Sequence, residues 1–289
     1  MKRRRFLTLA AAFACAPRPA QASTWQGYAL GAEVSITLHG PREWAAPLLA
    51  ALPARLNQIE EDFSLYRDTS LLARLNAHGR LEVSDSFAKL LELCDAAHLL
   101  TGGAFDPTVQ PLWQALSQGA DTQGPQAAIG WDRVTRQGRS VTLGKGQALT
   151  LNGIAQGFAT DLIAEELTQA GATKALINIG EFRALGGPFT LGLSDPSQGY
   201  IGNRRLQNAA IATSSPLATR AGAAPHILGP QGQRPLWSTV SVTADSAALA
   251  DALSTAACLM PKRALKSLAQ HPDIQAIQIV DQNGTLSTL

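Results

Sequence analysis

The sequence predicts a fold that mixes α-helices with β-strands, and three stretches carry that expectation. Val34, Ile36 and Leu38 alternate with polar residues, as in a strand with one buried face. Leu49, Leu52, Leu56, Ile59 and Phe63 recur every three or four residues, the spacing of a helix stripe. Thr150 to Gly171 (TLNGIAQGFATDLIAEELTQAG) runs from a strand through a turn punctuated by Gly153 and Gly157 into a helix. Its apolar positions are Leu162, Ile163, Leu167 and Ala170, with Gly171 placed to end it. The rest of the chain is organised around this stretch.

Met1 to Ala22 reads as an export signal ahead of one domain, 23–289. Lys2 to Arg5 form a basic start, Phe6 to Ala16 an apolar run too short to span a bilayer, and Ala20-Gln21-Ala22 a small-residue cleavage site. Arg3-Arg4-Arg5-Phe6-Leu7 fits the twin-arginine route to the periplasm, with the general secretory route as the alternative. Cys15 could instead accept a lipid, although Ala12-Phe13-Ala14 makes a poor lipobox. Without the signal the chain carries 19 Lys and Arg against 22 Asp and Glu. That mildly acidic balance argues against nucleic acid or an anionic membrane as the main partner. Cys94 and Cys258 lie on apolar helical patterns, which predicts buried free thiols rather than a disulfide.

In chain order, the strand Glu33 to Leu38 precedes the long helix, where Pro53 predicts a kink. A turn at His78-Gly79 leads to a second helix, Ser86 to Leu100, stopped by Gly102-Gly103. Residues 119–138 are polar and glycine-rich, as in a surface excursion. Ser140 to Leu151 reads as a hairpin turning at Gly144-Lys145-Gly146. Strands follow at Ala175 to Ile179 and Phe189 to Leu193, with Gly180-Glu181-Phe182-Arg183 linking them. Further strands end at Ile211 to Ser215 and span Ser238 to Thr243; a helix covers Asp245 to Met260. Ile274 to Val280 and a turn at Asn283-Gly284 close the chain.

Several of these residues could carry chemistry, and each has a plainer reading. The glycine turn before the central helix leaves amide groups free for a phosphate, or it simply packs a helix on a sheet. Thr101 to Trp113 (TGGAFDPTVQPLW) holds Phe105 and Asp106 on a rigid loop. They form an apolar wall beside a carboxylate, or an Asp-Pro turn that caps a short helix. Asp251 and Thr255, four apart on one helix face, suit a hard cation such as Mg²⁺. A threonine bonded to its own helix beside an unrelated acid is the common alternative. Tyr66 alone reads as a core aromatic.

Taken together, TGGAFDPTVQPLW, LNGIAQGFATD, INIGEFRALG, the Ala212-Thr213-Ser214 strand end, PHILGP and ADALSTA resemble the bacterial ApbE-type FAD:protein FMN transferases. The resemblance runs from Leu30 to about Met260, and LNGIAQG with the single-glycine IGEFRALG is closest to members associated with nitrous-oxide respiration. It implies a T-fold-like α+β architecture of mixed sheets with packed helices. It also implies an exported or lipid-anchored enzyme that uses FAD and Mg²⁺. The reaction would move FMN onto a Thr or Ser hydroxyl of an acceptor protein, a respiratory membrane protein in the family, and release AMP. Matched residue by residue, Tyr66, Ala104, Phe105 and Asp106 would hold the flavin or adenine, Leu30 would line the same site, and Leu228 would add apolar contact. The Gly153 carbonyl, Asp251 and Thr255 would hold the metal, and His226 would accept the proton of the acceptor hydroxyl.

Three positions depart from the family pattern: Thr150 stands in place of an aspartate, Gln156 in place of a lysine near the pyrophosphate, and Gly229 in place of an aspartate. Loss of the lysine removes one positive charge from the phosphates. Two other functions stay open on the sequence: a periplasmic FAD-binding protein without turnover, and a metal-dependent FAD hydrolase giving FMN and AMP. The acceptor's identity, the oligomeric state and the choice among divalent metals are not legible in the residues.

Overall fold

An eight-stranded antiparallel sheet forms the centre of the computed structural model, which describes residues 22–289. The predicted export signal lies outside the described residues except for Ala22. The strands are β1 (Ala22–Ala29), β2 (Ala32–His39), β3 (Ala175–Ile179), β4 (Phe182–Leu185), β5 (Ala210–Ser214), β6 (Thr239–Ala244), β7 (Ile274–Val280) and β8 (Leu286–Thr288). They sit side by side in sequence order. The helices therefore belong to excursions between neighbouring strands. Helix α1 (Arg42–Phe63) and helix α2 (Ala155–Gln169) lie between β2 and β3, and helix α3 (Ala247–Ala257) lies between β6 and β7.

Alternation within each strand sorts the two faces of the sheet. Val34, Ile36 and Leu38 of β2, Ile177 and Ile179 of β3, and Val240 and Val242 of β6 point into one core with the buried stripes of all three helices. The opposite face packs Leu176, Phe182, Ala184 and Ile211 under a separate hairpin, Phe189–Asp195 with Gly199–Leu206, through Leu191, Leu193 and Leu206. In α1 the stripe Leu49, Leu52, Leu56, Ile59 and Phe63 is buried as predicted. The helix runs on through Pro53, which is exposed, so the predicted kink does not divide it. Cys94 and Cys258 are buried free thiols. Burial pushes both well above the ordinary thiol range.

Four local expectations are corrected. The strands of the predicted 140–151 hairpin are instead Thr135–Gln137 and Ser140–Thr142, which turn at Gly138 (φ 57°) and join Arg80–Glu82 in a small sheet. The segment before the central turn is not a strand, because the Asn76 side chain takes the place of a strand partner. It donates to Leu149 O at 2.8 Å and accepts from Leu149 N at 2.7 Å. Residues 119–138 are not wholly surface: Trp131 is buried, its indole N–H donating to Asp95 at 2.8 Å. Part of the link after Gly180 is strand β4, and β1 was not foreseen. Strand β1 is an edge strand with only Ala29 buried, so it lacks the apolar alternation that marks β2.

Candidate active site

The site is built where α2 crosses α3. Gly157, in the first turn of α2, lies so close to α3 that a Cβ there would fall 2.2 Å from the Ala247 carbonyl oxygen, a contact only glycine permits. One turn further along α2, Asp161 fixes the start of α3. Its carboxylate accepts from Ala247 N and Ala248 N, each at 2.9 Å, and from Ser246 Oγ at 2.8 Å, and pairs with Arg183 of β4. These bonds satisfy amides that a helix start leaves without partners. They also fix α3 so that Asp251 meets the Gly157 amide and Thr255 lies against Gly153.

Asp251 Oδ2 accepts the Gly157 N–H at 3.1 Å, so a carboxylate of the protein occupies one of the amides read as a phosphate seat. Gly153 lies against Thr255, where a Cβ would stand 2.9 Å from Oγ1. A second carboxylate joins them: Glu181, buried after Gly180 (φ 87°), whose Oε2 accepts from Thr213 N at 3.2 Å. Burial pushes the Asp251 carboxyl up to about 7, opposed by the Gly157 N–H and reinforced by the Asp161 charge. Burial and then the negative charge of Asp251 raise Glu181 well above the carboxylate range.

Leu30 and Gln156 meet on the same side. Leu30 (φ 50°) and Gly31 (φ 79°) make the tight turn between β1 and β2, a left-handed pair that twists with the strands. Gln156 Nε2 donates to Leu30 O at 3.1 Å, and Leu30 N donates to Glu60 Oε1 at 2.8 Å. The Gln156 amide lies over Gly180, where a Cβ would fall 2.6 Å from its Cδ. Glu60 also pairs with Arg67, next to the exposed Tyr66.

Only the start of the predicted 101–113 loop is irregular: Pro107–Val109 form a 3-10 turn and Gln110–Gln118 a helix that takes Pro111 in its first turn, where no amide is needed. Thr150 N ties this stretch to the central turn by donating to Pro107 O at 2.8 Å. Asp106 works within that loop. One of its oxygens accepts from Thr108 N (2.8 Å) and Thr108 Oγ1 (2.5 Å), and the other from Trp131 N (3.2 Å). This is the capping arrangement the Asp-Pro turn suggested. Phe105 is buried in the main core, and Ala104 is half-buried beside it.

His226 and Leu228, both half-buried, sit on the long connection between β5 and β6. His226 Nδ1 lies 2.9 Å from Pro216 O and 3.3 Å from Thr219 O. Carbonyl oxygens only accept, so the neutral ring carries its proton on Nδ1 and presents a lone pair at Nε2.

The structure thus gathers Leu30, Gly153, Gln156, Asp251 and Thr255 around the start of α2, links Thr150 to the loop of Ala104, Phe105 and Asp106, and leaves Tyr66, His226 and Leu228 on separate loops. Sequence reasoning missed Glu181 and Asp161. The signal was present in both, as an acid set among residues that otherwise read as buried: NIGEF between two strands, and FATDLIA on a helix.

Among the described residues no group of three or more His, Cys, Asp or Glu side chains is placed to hold a metal. A cation here would rest on mixed oxygen donors: the Gly153 carbonyl, the Asp251 carboxylate and the Thr255 hydroxyl. That donor set suits Mg²⁺ rather than a soft metal, and two buried carboxyls, Asp251 raised by burial and the Asp161 charge and Glu181 by burial and the Asp251 charge, are groups that a divalent ion would relieve.

Fold and site define an α+β protein with oxygen-bearing side chains gathered at a helix crossing. The chain belongs to the ApbE family, which it matches over residues 30–278. It is similar to the FAD:protein FMN transferase of Rhodobacter capsulatus, 29% identical over 94% of this chain and 57% of that one. It is also similar to those of Haemophilus influenzae (31% identical, 47% of this chain and 45% of that one) and Vibrio cholerae (26% identical, 78% and 77%). The chain therefore spans about half the length of the first two relatives. Among solved structures, the flavin transferase ApbE from Vibrio cholerae superimposes with a TM-score of 0.82 at 22% identity, covering 94% of this chain and 97% of that one. The apo flavinyl transferase ApbE from Pseudomonas stutzeri gives 0.80 at 24%, covering 93% and 94%. At these identities the two structures speak for the fold.

Proposed function

We propose that this protein transfers FMN from FAD to a Thr or Ser hydroxyl of a partner protein, in a Mg²⁺-dependent reaction that releases AMP. The observation that carries the proposal is the meeting of Gly153 with Thr255 and of Asp251 with the Gly157 amide at one helix crossing, with the buried Glu181 near enough to feel the Asp251 charge. The similarity to FAD:protein FMN transferases of three bacteria supports the same reading. When bound, Mg²⁺ would neutralise charge on the pyrophosphate oxygens.

The chain's own residues do the rest. Nε2 of His226 takes the proton of the acceptor hydroxyl, and that oxygen bonds to the phosphorus of the FMN half. The bond from this phosphorus to the bridging oxygen breaks, its electron pair leaves with AMP, and the proton passes from His226 to solvent. Leu30, Tyr66, Ala104 and Leu228 offer apolar contact to the rings of FAD, with Phe105 held in the core next to Ala104, while Gln156 adds no charge at the phosphates. Export by the twin-arginine route, residence in the periplasm and an acceptor on a respiratory membrane protein belong to the same proposal.

The test is intact-mass analysis of an acceptor domain incubated with the protein, FAD and Mg²⁺. A gain of one FMN that disappears with EDTA is expected. AMP and free FMN without a gain would replace transfer by hydrolysis, and intact FAD would replace both by binding alone.

A further inference from the structure

A threonine hydroxyl can hold a cation only through an oxygen lone pair, so its hydrogen must point elsewhere. The side chains around Thr255 fix where it points. Ser254, fully buried in α3, donates to the carbonyl oxygen of Asp251 at 3.0 Å. A carbonyl only accepts, so the single hydrogen of Ser254 is engaged there. Ser254 Oγ then accepts from Ser214 Oγ, 2.8 Å away. With its own hydrogen committed, Ser214 can meet Thr255 Oγ1, at 3.3 Å, only as the acceptor. The hydroxyls form a one-way chain from Thr255 to Ser214 to Ser254 to the Asp251 carbonyl. Ser214 is the last residue of β5, paired with Val240 of β6, so the sheet anchors the chain at its middle member.

We propose that Ser214 is a positioning residue for the cation pocket: with Ser254 it turns the Thr255 hydrogen away and presents the oxygen lone pairs to a divalent ion. The proposal rests on the metal reading of Asp251 and Thr255 given above. Ser254 then matters without touching the ion, because Ser214 freed from it could donate its hydrogen to Thr255 Oγ1 and compete with the cation.

The test titrates Mn²⁺ alone into the full-length protein stripped of divalent ions, followed by electron paramagnetic resonance. Ser214→Ala is expected to weaken Mn²⁺ binding about tenfold, in the manner of a lost outer-shell partner, while Ser214→Thr, which keeps a hydroxyl, restores it. Ser254→Ala weakens binding as well, and the double variant is no worse than Ser214→Ala, since both act through one hydrogen. Melting temperatures without Mn²⁺ separate these effects from misfolding. If Ser214→Ala binds Mn²⁺ like the natural protein while Asp251→Ala does not, the hydroxyl chain is wrong and the metal reading stands. If Asp251→Ala binds as tightly as the natural protein, the metal reading fails and the hydroxyl chain with it.

Discussion

The two sides of the candidate site are built in opposite ways. The side bearing Asp251 and Thr255 stands on two helices whose backbones touch at Gly157, with Asp161 bonded to the first residues of α3, to the Ser246 hydroxyl just before them and to Arg183 of β4. The side bearing His226 stands on the connection between β5 and β6, whose only strands are the two-residue pairs Arg220–Ala221 and Ala224–Pro225. Its imidazole is held by main-chain oxygens of the same connection. Packed helices fix charge to within a fraction of an ångström, which a cation pocket needs. A loop can give way to an incoming protein segment, which a hydroxyl acceptor needs.

Breaking the helix crossing has the largest expected effect. Gly157→Ala places a methyl 2.2 Å from the Ala247 carbonyl and must separate α2 from α3. It is expected to cost about 3 kcal/mol of stability, read by denaturant unfolding, and to abolish FMN transfer. Asp251→Asn leaves the crossing intact and removes the charge. Transfer should fall about 10³-fold, read by AMP release, since the ion is asked to supply several kcal/mol at the transition state. His226→Gln tests the loop side: transfer falls about 10²-fold with unchanged melting, as expected for loss of a general base.

The last comparison concerns pH dependence. Asp251 is raised in the folded protein from 3.8 to about 7. The folded state thus holds a proton that the unfolded chain releases, so this group's contribution to stability is complete below about pH 4 and is lost as pH rises towards 7. In EDTA, the melting temperature should therefore decline across that window more steeply for the natural protein than for Asp251→Asn. Mg²⁺ should lift the high-pH end of the natural profile alone.

What could be read from the sequence follows the same division. The helix stripes of α1 and α2 and the Asp251/Thr255 spacing were legible, because helical period and face are local properties. Strand β1 was not, since its half-buried positions include Ser23 and Gly27 and so its alternation in burial is not matched by alternating apolar residues. The turn at Gly144-Lys145-Gly146 is present, closed by Gln147 N donating to Gly144 O, but it joins no pair of strands, because glycine marks a turn without saying which strands it joins. Glu181 escaped because its partners, Thr213 and Asp251, are distant in sequence and met only through the sheet and the helix crossing. Asp106 was legible as the cap of an Asp-Pro turn, the use its bonds to Thr108 and Trp131 show.

The most direct test of this division of labour measures Mn²⁺ binding and FMN transfer in the same preparations of the natural protein, Asp251→Asn and His226→Gln. The account predicts that Asp251→Asn loses both, whereas His226→Gln binds Mn²⁺ normally and fails only in transfer. Normal Mn²⁺ binding by Asp251→Asn, or weakened Mn²⁺ binding by His226→Gln, would contradict it.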